Sequence, residues 1–201
     1  MPARELDDAL LDALERRLGL LSIPVDVWTN PGLSEDEAQT TMAPLGLRLP
    51  EEALTWWGWR NGANDEGWSK VLPQWREFIS LERAVTEYRQ AREIALSVAP
   101  DHPHGDPNIL WSPEWFPLDD QRGQLVMDCS VGPGEATPIR VHNWEAMDEE
   151  NAQVEAASLG AVVELWCRAI DVGAWEWDAT ASRWWPHWDL LGEADRRSRA
   201  T

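Results

Sequence analysis

Leu6, Leu10, Leu11, Leu14 and Leu18 recur at helical spacing, while Asp7, Asp8, Asp12 and Glu15 take the opposite face. That periodicity predicts an amphipathic helix at the start of the chain. Its apolar stripe packs on the rest of the fold or receives a partner, and the pattern is the same in either case. Ser34 followed by Glu37 is a capping-box spacing, so a second helix starts there, to be ended by Pro44 and Gly46. A third helix is predicted in the segment Gly46 to Gly62, GLRLPEEALTWWGWRNG. Pro50 suits its first helical position, where the missing N–H removes no bond. Leu54 and Trp57 then share one face as core anchors, and Asn61-Gly62 supplies the left-handed conformation that ends a helix. The run to Val71 is an exposed loop carrying Asp65, Glu66 and Trp68.

A strand is expected to close at Ile79 and Ser80. Ser80 caps a long helix with the apolar stripe Leu81, Ala84, Val85, Tyr88 and Ala95, terminated by Pro100 and Pro103. DHPHGDPN reads as irregular. From Trp115 the pattern changes to short apolar runs, WFPL, QLVMDC and PIRVHNW, separated by Asp119-Asp120 with Gly123 and by VGPGEA. These are three strands. An acidic connection from Glu145 to Glu155 leads to a buried helix bearing Val162, Val163, Leu165, Trp166 and Ile170. Trp175-Glu176-Trp177 and Trp184-Trp185 then flank ATAS as a small hairpin. Helices, a strand cluster and a closing helix give an α+β class, with a central, mostly antiparallel or mixed sheet flanked by helices. The 201 residues suit one domain at the usual ~100–200 residues per domain. The expected organisation is a helical extension over 1–39, the main domain over 40–191 and a frayed tail over 192–201.

The third-helix segment, with Gly46, Leu49, Pro50, Leu54, Trp57, Asn61 and Gly62, resembles the opening motif of the SMI1/KNR4 (SUKH) superfamily, a Gly-x-x-Leu-Pro start leading through a short helix to Asn-Gly. Leu72, Pro73, Phe78, Ser80 and Leu81 are similar to the strand and helix start that follow. Trp115 to Leu118 with Gln124 to Asp128 match its central strands, and Ala157 to Gly173, with Ser158-Leu159, its closing helix. The resemblance spans residues 40 to 178 and implies a single α+β domain. It also implies a role: bacterial members are mostly immunity proteins against polymorphic or contact-dependent toxins, frequently nucleases or nucleic-acid deaminases. Fungal members imply the alternative, an intracellular scaffold or regulatory interaction module. The N-terminal helix and the Trp-rich C-terminal hairpin depart from the family pattern.

Charge narrows the partners. With 36 acidic against 17 basic residues, the chain carries −19, which opposes direct binding to nucleic acid and to anionic membrane. It attracts a basic protein, which the resemblance implies is a toxin or toxin domain, or else serves solubility alone. Asp65, Glu66 and Trp68, with Asp119 and Asp120 in the strand turn, are the candidate partner-binding residues. Of the 15 tryptophans, Trp57, Trp115 and Trp166 fall on apolar faces. Trp59, Trp68, Trp111 and Trp188 fall beside Pro, Gly or charged residues in expected loops, where Trp is a common hot spot. Cys129 and Cys167 sit in apolar patterns, on a strand and a helix, without metal or disulfide spacing. No ~20-residue apolar stretch or signal-peptide core occurs, so a cytoplasmic protein is expected. His102, His104 and Asp106 are the only ligand-like cluster. Metal-dependent hydrolysis there is the weakest reading, because Pro103 and Pro107 deny a regular strand. No nucleophile elbow or phosphate loop appears. The expectation is a binding protein, not an enzyme, with no cofactor.

Overall fold

The computed structural model describes residues 4–102, 105–120, 123–132, 134–144, 154–190 and 192. The expected tail over 192–201 thus lies almost wholly outside the described residues. Helix α1, Asp8–Leu20, is capped by the Asp7 carboxylate on the Leu10 amide, and the leucine stripe is buried from Leu6 to Leu18. A short α2, Val25–Trp28, leads into β1, Thr29–Pro31. Helix α3, Glu35–Met42, carries the complete Ser34/Glu37 capping box. It runs into a 3₁₀ turn over Ala43–Leu45 that stops at Gly46 in the left-handed conformation.

Helix α4, Glu51–Trp59, departs from expectation in three respects. Pro50 is the cap and not the first helical residue: its ψ is 159°, and its carbonyl accepts from the Ala53 and Leu54 amides. The buried face is Ala53, Trp56 and Trp57, while Leu54 is only partly buried against the core. A face one residue wider than the Leu54–Trp57 pair brings Trp56 against Phe78 at 4.7 Å and Trp166 at 6.1 Å. Finally, Asn61-Gly62 does not end the helix but lies in β2, Arg60–Ala63, antiparallel to β1. Gly62 does hold φ +76°, and a Cβ there would lie 2.3 Å from the Ser80 nitrogen. Asn61 spans the same junction: its Oδ1 accepts from the Leu81 amide and its Nδ2 donates to Glu82.

The segment 76–80 is extended but forms no strand ladder; it meets β2 through the Ala63 amide donating to the Phe78 carbonyl. Helix α5, Leu81–Val98, begins at its Ser80 cap. The stretch read as irregular holds a one-turn α6, Pro107–Leu110, capped by Asp106. Then come β3, Trp115–Pro117, β4, Gln124–Asp128, and β5, Ile139–His142, as anticipated. A fourth strand, β6, Val154–Ala156, pairs with β5 from within the acidic connection. The sheet is antiparallel in the order β3-β4-β5-β6. Helix α7, Leu159–Asp171, is capped by Ser158. Strands β7, Trp175–Asp178, and β8, Arg183–Pro186, form the closing hairpin. The chain is a single-domain α+β fold, and among its described residues no helix is long and apolar enough to cross a membrane.

Alternation along β4 divides the interior. Leu125 and Met127 face the main core with Phe116, Trp56, Trp57 and the α1 leucines. Val126 faces a second cluster of Ala91, Ala95, Leu110, Trp111 and Trp115, as period-2 geometry requires. Trp111, expected in a loop, is fully buried here and donates its indole N–H to the Trp115 carbonyl. Trp59 likewise ends α4 and stacks on Phe78.

One buried carboxylate ties remote segments together. Glu52 is 4% exposed. Its Oε1 accepts from the amides of Leu6 at 2.8 Å and Gly160 at 2.9 Å, and its Oε2 from Thr137 at 2.7 Å. Gly160 opens α7, so the carboxylate also meets the positive end of a helix. The Ser158 hydroxyl donates to the Arg4 carbonyl, and a Cβ on Gly160 would lie 2.3 Å from that oxygen. Residues 4–6 are thereby clasped between α4 and α7, which seats α1.

Candidate interaction surface

The 64–70 loop is exposed yet firmly held. Asn64 Oδ1 accepts from the Glu66 and Gly67 amides, and Asn64 Nδ2 donates to the Val27 carbonyl at 2.7 Å. Gly67 is required by proximity, since a Cβ would lie 2.1 Å from the Trp28 carbonyl oxygen. Lys70 donates to the Glu66 carbonyl and sits 5.4 Å from the Trp28 ring. Behind it, Trp28, Trp177 and Trp184 meet edge to face at 5.9 and 5.4 Å, and the Trp184 indole donates to the Lys70 carbonyl. The terminal hairpin therefore buttresses the loop. Asp65 and Glu66 are left exposed, with Trp68 41% exposed beside them.

The segment that anchors the loop also walls a groove. Ala9, Asp12, Glu15, Arg16 and Gly19 of α1 face Ile23 to Val27 across an open cleft of about 770 Å³. Its lining combines apolar side chains with the carboxylates of Asp12, Glu15 and Asp26. Glu15 is fixed by the Trp59 indole at 2.6 Å and by Arg60 at 3.0 Å, and Arg60 also pairs with Asp26. Val27, on the groove wall, is 60% exposed. Because Asn64 bonds to the Val27 and Trp28 carbonyls, the loop is anchored to the wall of the groove, whose carboxylates are partly offset by Arg16 in the lining and by Arg60. The groove was not singled out from sequence. The Asp12 and Glu15 face of the first helix was the available signal, but the chain segment opposite it was unknowable from spacing.

Asp119 and Asp120 do not behave as the sequence suggested. The Asp119 side chain is 2% exposed and pairs with Arg76 at 2.9 Å. Its Oδ1 accepts from the Leu125 amide and its carbonyl from Gln124 Nε2, so it braces the β3–β4 turn instead of facing a partner. Asp120 pairs with Arg83 at 3.0 Å, and burial pushes its carboxyl above the ordinary range. A pair of adjacent acids at a turn looks solvated in sequence; the arginines that claim them are 43 and 37 residues away.

Of the metal-type cluster, His102 is partly buried, Asp106 caps α6, and His104 lies outside the described residues. Among the described residues no group of three His, Cys, Asp or Glu side chains could hold a metal ion. Cys129 lies just past the end of β4, not within it, and burial pushes its thiol up to about 12, so it is a poor nucleophile. Burial raises the Cys167 thiol as well. The side chain of Trp188, another expected loop tryptophan, lies outside the described residues. Compared with known proteins, the chain matches no family profile and no curated protein.

Proposed function

We propose that this chain is an immunity-type protein of the SUKH kind, which neutralises a basic toxin by stoichiometric binding and performs no chemistry of its own. The observation that carries the reading is the ordered 64–70 loop, which exposes Asp65 and Glu66 beside Trp68 and is hydrogen-bonded to Val27 on the wall of the groove lined by Asp12 and Asp26. An acidic face with apolar anchors complements the basic active-site surface of an enzyme that acts on nucleic acid. Its loop is pre-ordered by Asn64 and the tryptophan stack, which lowers the entropy lost on association. A cytoplasmic location belongs to the same proposal.

The test is association kinetics with the product of the neighbouring gene. Raising salt from about 50 to about 500 mM should slow the on-rate by ~10-fold or more, because the Debye length shrinks to a few ångströms. Reversing Asp65 and Glu66 to Lys should slow it similarly with the fold intact. An on-rate indifferent to both would leave the acidity serving solubility alone and would refute the assigned face.

A further inference from the structure

On the far side of α7 from the N-terminal clasp, a cavity of about 220 Å³ lies between the turn at Gln74 to Arg76, β4, β6 and α7. Its walls are Leu125, Ala156, Ala161, Val162, Leu165 and the Trp166 ring, with Arg168 and Glu155 also contributing. Two of its lining groups are donors with no acceptor in reach among the described residues: the Arg76 Nε–H and the Trp166 indole N–H, both buried. A narrower cleft that shares Arg76 and Trp166 adds a third, the Trp56 indole N–H. Arg76 is not idle, since its Nη1 holds Asp119 and the Gly123 carbonyl. Only its inner edge is left over.

Buried donors are nearly always satisfied, and a cavity lined by hydrocarbon and donors selects a ligand that is apolar in body and brings its own acceptor oxygens. Gln74 at the rim holds φ +65°, a left-handed conformation that is costly for a non-glycine residue and concentrates at ligand sites. Arg76, which pairs with Asp119, and Arg168 are matched one for one by Asp119 and Glu155, so the site carries no net positive charge and offers a ligand chiefly its two N–H donors. A multiply charged anion such as a phosphate ester is therefore disfavoured, and a single carboxylate fits. We propose that this cavity binds a small apolar molecule through its carboxylate, which accepts from Arg76 Nε and Trp166 Nε1 while the hydrocarbon lies on Leu125, Val162 and Leu165. The site is separate from the acidic groove and does not depend on the function proposed above.

The test uses purified full-length protein and three probes with one carbon skeleton: isocaproate, leucine and the neutral isocaproamide. The ¹⁵N–¹H indole resonance of Trp166, assigned with Trp166→Phe, should shift saturably with isocaproate or leucine. The amide should give at least tenfold weaker response, as expected for loss of a charge-assisted bond. Tighter binding of leucine would identify an amino acid whose ammonium meets Glu155; tighter binding of isocaproate, a simple acid. Calorimetric affinity for isocaproate should fall about threefold to tenfold in both Arg168→Gln and Trp166→Phe, without shifting the melting temperature by more than a few degrees. Equal response to all three probes, no saturable response, or binding unaffected by both variants would overturn the proposal and leave the cavity to solvent.

Discussion

Glu52 shows how much of the fold a single carboxylate can hold. It follows Pro50 by two positions in a segment whose apolar residues draw attention, and its role depends on Leu6, Thr137 and Gly160, which are 46, 85 and 108 residues away. Glu52→Ala strands three buried amide donors, at ~1–3 kcal/mol each. A loss of about 3 kcal/mol or more is expected in denaturant unfolding, together with faster hydrogen exchange at Leu6 and Gly160; an unchanged midpoint would refute the clasp. His142 makes a second prediction. It is fully buried among Trp111, Trp115 and Trp144, with Nε2 2.9 Å from the Leu110 carbonyl. Burial lowers its pKa below the ordinary 6.5, although the Leu110 bond opposes the shift. As pH falls through about 6.5 the unfolded chain takes up a proton that the folded chain still refuses, so stability is complete above that value and declines below it. Asp171, held low by the Arg17 hydrogen bond from an ordinary 3.8, acts only at more acid pH. Wild-type stability should therefore fall between about pH 7.5 and about pH 5.5, and His142→Gln should flatten that slope, which denaturant midpoints across the range would measure.

At the scale of elements, capping and periodicity govern most boundaries. Ser34, Ser80 and Ser158 each start a helix with a side-chain oxygen on a backbone amide, and the stripes behind them are buried. Where an element is short, its existence rests on neighbours: β6 is three residues that need β5 beside them, and α6 is one turn that packs on α5. The closing hairpin is legible from its tryptophans, but its purpose is not. Trp177 stands between Trp28 and Trp184 and so supports the 64–70 loop from behind. Trp177→Ala should increase hydrogen exchange at the Asn64, Gly67 and Lys70 amides while the α1 amides keep their protection. Equal protection in variant and wild type would mean that Asn64 alone holds the loop.

Over the whole molecule, local rules reached the class and the core. Regular leucine spacing, serine caps and alternating strand runs are consequences of backbone geometry that any few neighbouring residues reveal, so α1, α3, α5, α7, the three central strands and the hairpin follow from sequence. The net charge of −19 is likewise a sum over residues that needs no coordinates. What only the tertiary structure decided is which polar groups meet. Asp119 and Asp65 are the same residue type, each in a segment that connects regular elements. One is buried against Arg76 and the other exposed beside Trp68, because long-range packing, not local pattern, places an arginine next to one of them. Gly62 keeps the positive φ that its Asn-Gly motif suggests, yet serves a strand, since the approach of Ser80 is set by the fold as a whole. The Glu52 clasp and the donor-lined cavity under α7 join segments distant in the chain, and a carboxylate or an N–H acquires its function from whatever that closure brings within about 3 Å.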